Sequence, residues 1–172
     1  MIALMIGGSG SGKSAIAERL ICALPAEKRI YLATMQAADE ESHRRVLRHR
    51  AQRAGLGFVT VEAHRDVGKT PGTAGAAVLL EDLPNLVAGE MFGGGDAGHI
   101  EADLRRLAAS SRHLVMVTGN LFADGLRYPA VTEAYLRRLA EVNRAAAALA
   151  DYAAEAVCGV PVPLKGEAPC AW

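Results

Sequence analysis

Aromatic side chains are scarce in this chain, with 3 Phe, 4 Tyr and 1 Trp among 172 residues. A core must therefore be packed from aliphatic side chains, and a hydrophobic content of 51% supplies them. An excess charge of either sign is also missing. Nineteen basic residues balance nineteen acidic ones, for a formal net charge of zero. That balance gives no support for a nucleic acid or an anionic membrane as partner. The three cysteines (Cys22, Cys158 and Cys170) are odd in number and lack metal-ligand spacing. They fit a reducing cytoplasm better than a disulfide framework. No apolar run approaches transmembrane length. The Ala-rich stretch 145–156 is broken by Asp151 and Glu155 and reads as a packed helix. The apolar N-terminus is too short for a signal peptide and has no basic lead. No internal repeat is visible, and the expectation is one domain over residues 1–172, located in the cytoplasm.

What is present is concentrated at residues 1–14. The first six residues are all apolar and read as a short buried strand. The run Gly7-Gly8-Ser9-Gly10-Ser11-Gly12-Lys13-Ser14 follows and fits G-x-x-x-x-G-K-[ST] at every fixed position. A triphosphate needs a ring of backbone N–H donors, and glycine lets the backbone wrap that closely. Lys13 is placed to reach the β- and γ-phosphates, and Ser14 to put its hydroxyl on Mg²⁺. The helix that begins here adds the positive end of its dipole.

Strands and helices then alternate. Helices are expected over 14–24, 39–54, 83–92, 100–109 and 130–152. Strands are expected over 29–34, 58–61, 76–80, 113–118, 154–158 and 162–165. Residues 65–76 and 93–98 read as loops. This pattern predicts an α/β fold: a single P-loop NTPase domain with a mainly parallel sheet flanked by helices, its ligands at the strands' carboxyl ends.

Three further stretches carry chemistry. Glu81 and Asp82 follow the apolar run Val78-Leu79-Leu80, where P-loop proteins place a Mg²⁺-directed carboxylate. Glu81 is the expected metal-side acid and Asp82 suits a helix cap. Thr34 ends the second strand at the same edge as the P-loop. The helix expected over 39–54 holds Arg44, Arg45, Arg48, Arg50 and Arg53 with His43 and His49, and Arg45, His49 and Arg53 are spaced to share one face. A solvated basic face explains such a pattern. So does a neutral imidazole nucleophile between cations that hold phosphate oxygens. His64, His99 and His113 show no metal spacing and read as structural.

Taken together, these pieces resemble the bifunctional adenosylcobinamide kinase / adenosylcobinamide-phosphate guanylyltransferase family of cobalamin assembly. The resemblance rests on Gly7–Ser14, Tyr31–Thr34, Asp39-Glu40-Glu41, Arg45-Val46 and His49-Arg50 with Arg53. It continues through Leu80–Phe92, Val117–Asp124, Asn143, Ala150-Asp151 and Cys158–Lys165. It implies a RecA-like P-loop fold, ATP and GTP as substrates with Mg²⁺, and oligomers, commonly trimers. It also implies two reactions. The aminopropanol hydroxyl of adenosylcobinamide is phosphorylated, and GMP then passes from GTP to that phosphate through a guanylylated histidine. The histidine falls on His49, with Lys13 as the other catalytic residue. The guanine-nucleotide contacts fall on the P-loop, Ala33, Thr34, Met35, Arg50, Ala51, Gln52, Arg53, Glu62 and Glu81.

The chain departs from the family pattern at four places. Gly119-Asn120 stands where the family usually has Asn-Glu, Tyr152 replaces an acid after Asp151, and Pro84 and Gly89 are unusual in their segment. Two other readings remain: a simple P-loop kinase for a small metabolite, and a non-catalytic, nucleotide-gated corrinoid regulatory protein.

Overall fold

A computed structural model describes residues 1–36, 40, 44, 51, 53–122 and 125–169. Among the described residues, seven strands form one sheet: β1 (Ile2–Gly7), β2 (Arg29–Ala33), β3 (Phe58–Glu62), β4 (Ala77–Glu81), β5 (His113–Gly119), β6 (Tyr152–Val157) and β7 (Val160–Lys165). Their order is β3-β2-β4-β5-β1-β6-β7. Every pairing is parallel except that of β6 with β7, which is an antiparallel hairpin. The helices with described bounds are α1 (Lys13–Ala23), α2 (Leu83–Phe92), α3 (Ile100–Ser110) and α4 (Ala130–Leu149). Short 3₁₀ turns occupy Val67–Lys69 and Ala97–His99. The expected mainly parallel α/β architecture is the one found.

Burial explains the strand sequences. All five residues of β4 are buried, as the unbroken run Ala-Val-Leu-Leu-Glu requires of a strand covered on both faces. On one face Leu4, Ile30, Leu32, Val78, Leu80, Leu114 and Met116 meet residues of α2, α3 and α4 such as Leu86, Leu104 and Leu139. On the other face Ala3, Met5, Tyr31, Leu79, Val115 and Val117 meet Ile16, Ala17, Leu20 and Ile21 of α1. Among the described residues, no helix is long and apolar enough to cross a membrane.

Two expectations need correction. The helix expected over 130–152 ends at Leu149, and Tyr152 opens β6. The reason is Asp151. Its N–H donates to the Ile2 carbonyl at 2.8 Å, and its Oδ2 accepts from the Ile2 N–H at 2.8 Å. The chain is thereby tied to the start of β1, and Tyr152 pairs with Ala3 instead of continuing the helix. Tyr152 is fully buried, so its ring fills core space where a carboxylate would be costly. The helix expected over 39–54 lies mostly outside the described residues. Glu40, Arg44 and Ala51 are helical, and Arg44 pairs with Glu40 at 3.0 Å. Arg53 and Ala54 are not helical: they form a turn in which the Leu56 N–H donates to the Arg53 carbonyl at 3.0 Å.

Candidate active site

Because the central strands are parallel, their carboxyl ends collect at one edge of the sheet. Gly7 of β1 lies beside Gly119 of β5, and Ala33 of β2 lies between Glu62 of β3 and Glu81 of β4. The P-loop leaves this edge from β1. Gly10 and Gly12 have φ of 72° and 89°, left-handed values that favour glycine. Gly7 leaves no room for a side chain, since a Cβ there would sit 2.4 Å from Ser11 Oγ. The loop is braced by the β6–β7 turn, where the Gly159 N–H donates to the Ser11 carbonyl at 2.9 Å. A Cβ on Gly12 would reach 3.1 Å from Gly159 Cα. Ser9 and Gly8 lie in the exposed part of the loop.

The loop's two reactive side chains turn toward different partners. Lys13 Nζ donates to the Gly8 carbonyl at 3.3 Å, folding over the loop. Ser14 Oγ donates to Glu81 Oε1 at 2.5 Å. The other carboxylate oxygen, Glu81 Oε2, is buried without a hydrogen-bond partner among the described residues. Burial, followed by the neighbouring Asp82 carboxyl, pushes the Glu81 pKa up to about 8 against the pull of Ser14 and Lys13. An oxygen-lined position bounded by a serine hydroxyl and a half-satisfied buried carboxylate suits a hard divalent cation. Ser14 and Glu81 therefore fit Mg²⁺.

Asp82 does something else. It is the N-cap of α2, accepting from the Asn85 N–H at 2.9 Å and from Asn85 Nδ2 at 2.8 Å. Thr34 is 1% exposed and fastens the turn between β4 and α2. Its hydroxyl donates to the Asp82 carbonyl at 2.8 Å and accepts from the Asp82 N–H at 2.7 Å, while its own N–H donates to the Glu81 carbonyl at 3.0 Å. Met35 follows at the same edge, half-buried.

The structure thus brings the P-loop, Ala33, Thr34, Met35, Glu62 and Glu81 to one edge. Arg53 is placed differently from the shared helical face expected with Arg45 and His49. It is buried in the turn after the helix, its guanidinium 3.4 Å over the Tyr31 ring and 3.8 Å from Glu18 Oε1 of α1. His49, Arg50 and Gln52 lie outside the described residues. Ala51 is helical and exposed.

A family model described as cobinamide kinase / cobinamide phosphate guanyltransferase matches residues 3–164. The chain belongs to that family. A relative, the bifunctional adenosylcobalamin biosynthesis protein CobP of Pseudomonas aeruginosa, is 29% identical over 173 residues, covering 95% of this chain and 97% of its own length. Among solved structures, the flagellar accessory protein FlaH of Methanocaldococcus jannaschii superposes with a TM-score of 0.53 at 10% identity, over 99% of this chain and 81% of that one. That likeness concerns the fold alone.

Within the cobinamide kinase / guanyltransferase family, this chain's departures are partly coupled. A Cβ on Gly119 would lie 3.5 Å from Pro84 Cγ and from the Leu121 side chain, so two departures are neighbours in space. Pro84 sits in the first turn of α2, where proline costs no helical hydrogen bond. Gly89 is forced by close approach, since a Cβ there would be 2.3 Å from the His64 carbonyl oxygen. Asn120 is exposed beside the P-loop, and its N–H donates to the Gly7 carbonyl at 3.3 Å. Sequence reasoning missed three contacts. Thr118 Oγ1 donates to Asn143 Oδ1 at 2.7 Å, joining β5 to α4. His64 Nδ1 lies 3.1 Å from the Thr34 carbonyl oxygen, at the nucleotide edge. His99 stands among three carboxylates, a grouping signalled only by the four-residue step from His99 to Asp103.

Proposed function

We propose that the protein phosphorylates adenosylcobinamide and then guanylylates the product, with Lys13, Ser14, Glu81 and His49 as its working residues. The observation that carries this reading is the Ser14–Glu81 contact at the mouth of a complete P-loop, in a chain of the cobinamide kinase / guanyltransferase family. In the first reaction the aminopropanol oxygen bonds to the γ-phosphorus of ATP or GTP. The bond to the β-phosphate bridging oxygen breaks, the nucleoside diphosphate leaves, and the hydroxyl proton passes to solvent water. Lys13 swings from the Gly8 carbonyl onto the β- and γ-phosphates, and the P-loop amides hold the remaining oxygens. Ser14 and Glu81 would hold Mg²⁺, which would supply positive charge to the phosphate oxygens.

In the second reaction a neutral ring nitrogen of His49 attacks the α-phosphorus of GTP and pyrophosphate leaves. An oxygen of adenosylcobinamide phosphate then attacks the same phosphorus. The N–P bond breaks, His49 is regenerated, and adenosylcobinamide-GDP is released. A covalent histidine splits one exchange between two anions into two in-line displacements. Ala33, Thr34, Met35, Arg50, Ala51, Gln52, Arg53 and Glu62 are assigned to the guanine nucleotide. The working form is a homo-oligomer, a trimer.

Intact-mass measurement after incubation with GTP and Mg²⁺ tests the transferase half. A GMP adduct is expected, located on His49 by peptide mapping, absent in His49→Ala and lost with kinase activity in Lys13→Ala. No adduct in the wild type, with phosphorylation of adenosylcobinamide intact, would leave a simple kinase. Tight GTP binding with neither product would leave a regulatory protein.

A further inference from the structure

A second constellation lies apart from the P-loop, where the 3₁₀ turn at Val67–Lys69 meets α2 and the start of α3. His99 Nε2 is 3.3 Å from Glu90 Oε1, 3.7 Å from Asp66 Oδ1 and 3.7 Å from Asp103 Oδ2. The ligand atoms of Asp66, His99 and Asp103 all lie within 4.8 Å of one another. Among the described residues, no hydrogen bond or ion pair joins this group to Lys13, Ser14 or Glu81.

Two features separate it from an ordinary surface cluster of acids. Asp103 is 1% exposed and its Oδ1 is paired with Arg106, which leaves the buried Oδ2 facing His99. The Nε2 atom of His99 is itself buried and has no hydrogen-bond partner among the described residues, yet it points at three carboxylate oxygens. An imidazole hydrogen-bonded to one of them would bring that oxygen to about 2.9 Å. Instead all three stand back. Neighbouring donors around a four-coordinate ion with bonds of about 2.0–2.1 Å are separated by roughly 3.3 Å. The 3.7 Å from His99 Nε2 to Asp66 Oδ1 and to Asp103 Oδ2 is that spacing, slightly opened.

The surrounding contacts orient the donors. Arg106 Nη1 donates to Asp103 Oδ1 at 3.1 Å, leaving Oδ2 to face His99. The N–H groups of Asp66 and Asp96 donate to Glu90 Oε1 at 2.7 Å and Oε2 at 3.2 Å. A Cβ on Gly68 would lie 2.6 Å from Asp103 Oδ1, so glycine lets the turn close on the carboxylate. Such outer partners fix ligand direction in metal sites. One competitor is present: Lys69 Nζ donates to Asp66 Oδ1 at 2.6 Å from the solvent side.

We propose that His99, Asp66 and Asp103 bind one divalent transition-metal ion of the zinc type, with water completing its coordination, and that the ion clips the Val67–Lys69 turn to the start of α3. The nitrogen and two carboxylate oxygens form a borderline donor set suited to zinc, with a fourth position left for water. Lys69 occupies one ligand oxygen until the ion displaces its ammonium.

The test uses the full chain stripped with chelator and dialysed against zinc chloride without nucleotide or Mg²⁺. Metal content is read by mass spectrometry, and cobalt substitution by its visible absorption. One zinc per chain is expected, with a tetrahedral cobalt spectrum and a raised melting temperature. His99→Ala is expected to weaken zinc binding at least tenfold. Asp66→Asn, at a half-exposed position that folding tolerates, should do the same, and Cys158→Ser should change nothing. Lys69→Met should tighten binding, an effect that a simple ion-pair latch would not produce. Absence of zinc from the wild type, or equal zinc in the wild type and Asp66→Asn, would overturn the proposal.

Discussion

The surroundings of Glu81 favour its neutral form, whereas the proposed Mg²⁺ role needs its charge. Burial pushes its pKa from 4.5 up to about 8, so the folded chain holds a proton that the unfolded chain releases near pH 4.5. The sign follows from linkage. Its contribution to stability is complete below pH 4.5 and is lost as pH rises through about 8. A bound Mg²⁺ requires the carboxylate and so acts in the opposite direction. Mg²⁺-dependent nucleotide affinity should rise with pH toward about 8. Glu81→Gln keeps the shape and removes the titration. Paired thermal melts across this range should show the wild type losing stability relative to Glu81→Gln as pH rises. Phosphorylation by the variant should fall about 100-fold. Parallel melting curves would mean that another group titrates. The choice of Glu81 over Asp82 was legible in part, because an acid ending a buried strand has few structural uses. The cap formed by Asp82 depends on a turn that the sequence alone does not draw.

At the scale of elements, the β4–α2 turn depends on one hydroxyl from a different strand. Thr34 Oγ1 both donates to and accepts from the backbone of Asp82, and it is buried. Thr34→Val keeps the volume and leaves the Asp82 N–H and carbonyl without those partners. The expected cost is about 1–3 kcal/mol, since a buried polar group then loses its bond. For a chain of this size each kcal/mol lowers the melting temperature by about 2–4 °C. Calorimetry should show that drop with Thr34→Val and little of it with Thr34→Ser, and Mg²⁺-dependent turnover should fall as Glu81 loosens. Equal melting of Thr34→Val and wild type would show that the turn holds without the hydroxyl. Local grammar made the strand, glycine turn and helix at residues 1–23 readable, because glycine, lysine and serine at fixed spacing admit few other structures. It failed at residues 150–152. There helix propensity favours continuation, and a long-range pair between Asp151 and Ile2 stops it. It failed again at Arg53, whose position is set by Tyr31 and Glu18 in other elements.

At the scale of the whole molecule, strand order was beyond the sequence, since periodicity says which segments are strands and not which lie side by side. The same holds for Asp66, Glu90 and His99, which only the packing of α2 against the turn after β3 brings together. The order found leaves β7 as an edge strand with an unusual sequence. Val160, Val162 and Leu164 are 60%, 43% and 59% exposed, and alternation places them on one face. Pro161 and Pro163 intervene and lack the N–H groups that another strand would need, so the sheet is blocked from extending through this edge. Subunits joining here must therefore meet through the apolar face rather than by adding strands. If that face holds the proposed trimer, a charge at its centre should separate the subunits without reaching the P-loop. Val162→Lys is expected to reduce the mass measured by light scattering from three chains to one while GTP binding persists. Transfer of GMP to adenosylcobinamide phosphate should fall as well if the corrinoid docks between subunits. A Val162→Lys protein that remains trimeric would move the subunit contact elsewhere. A monomer with undiminished transfer would place the corrinoid on a single chain.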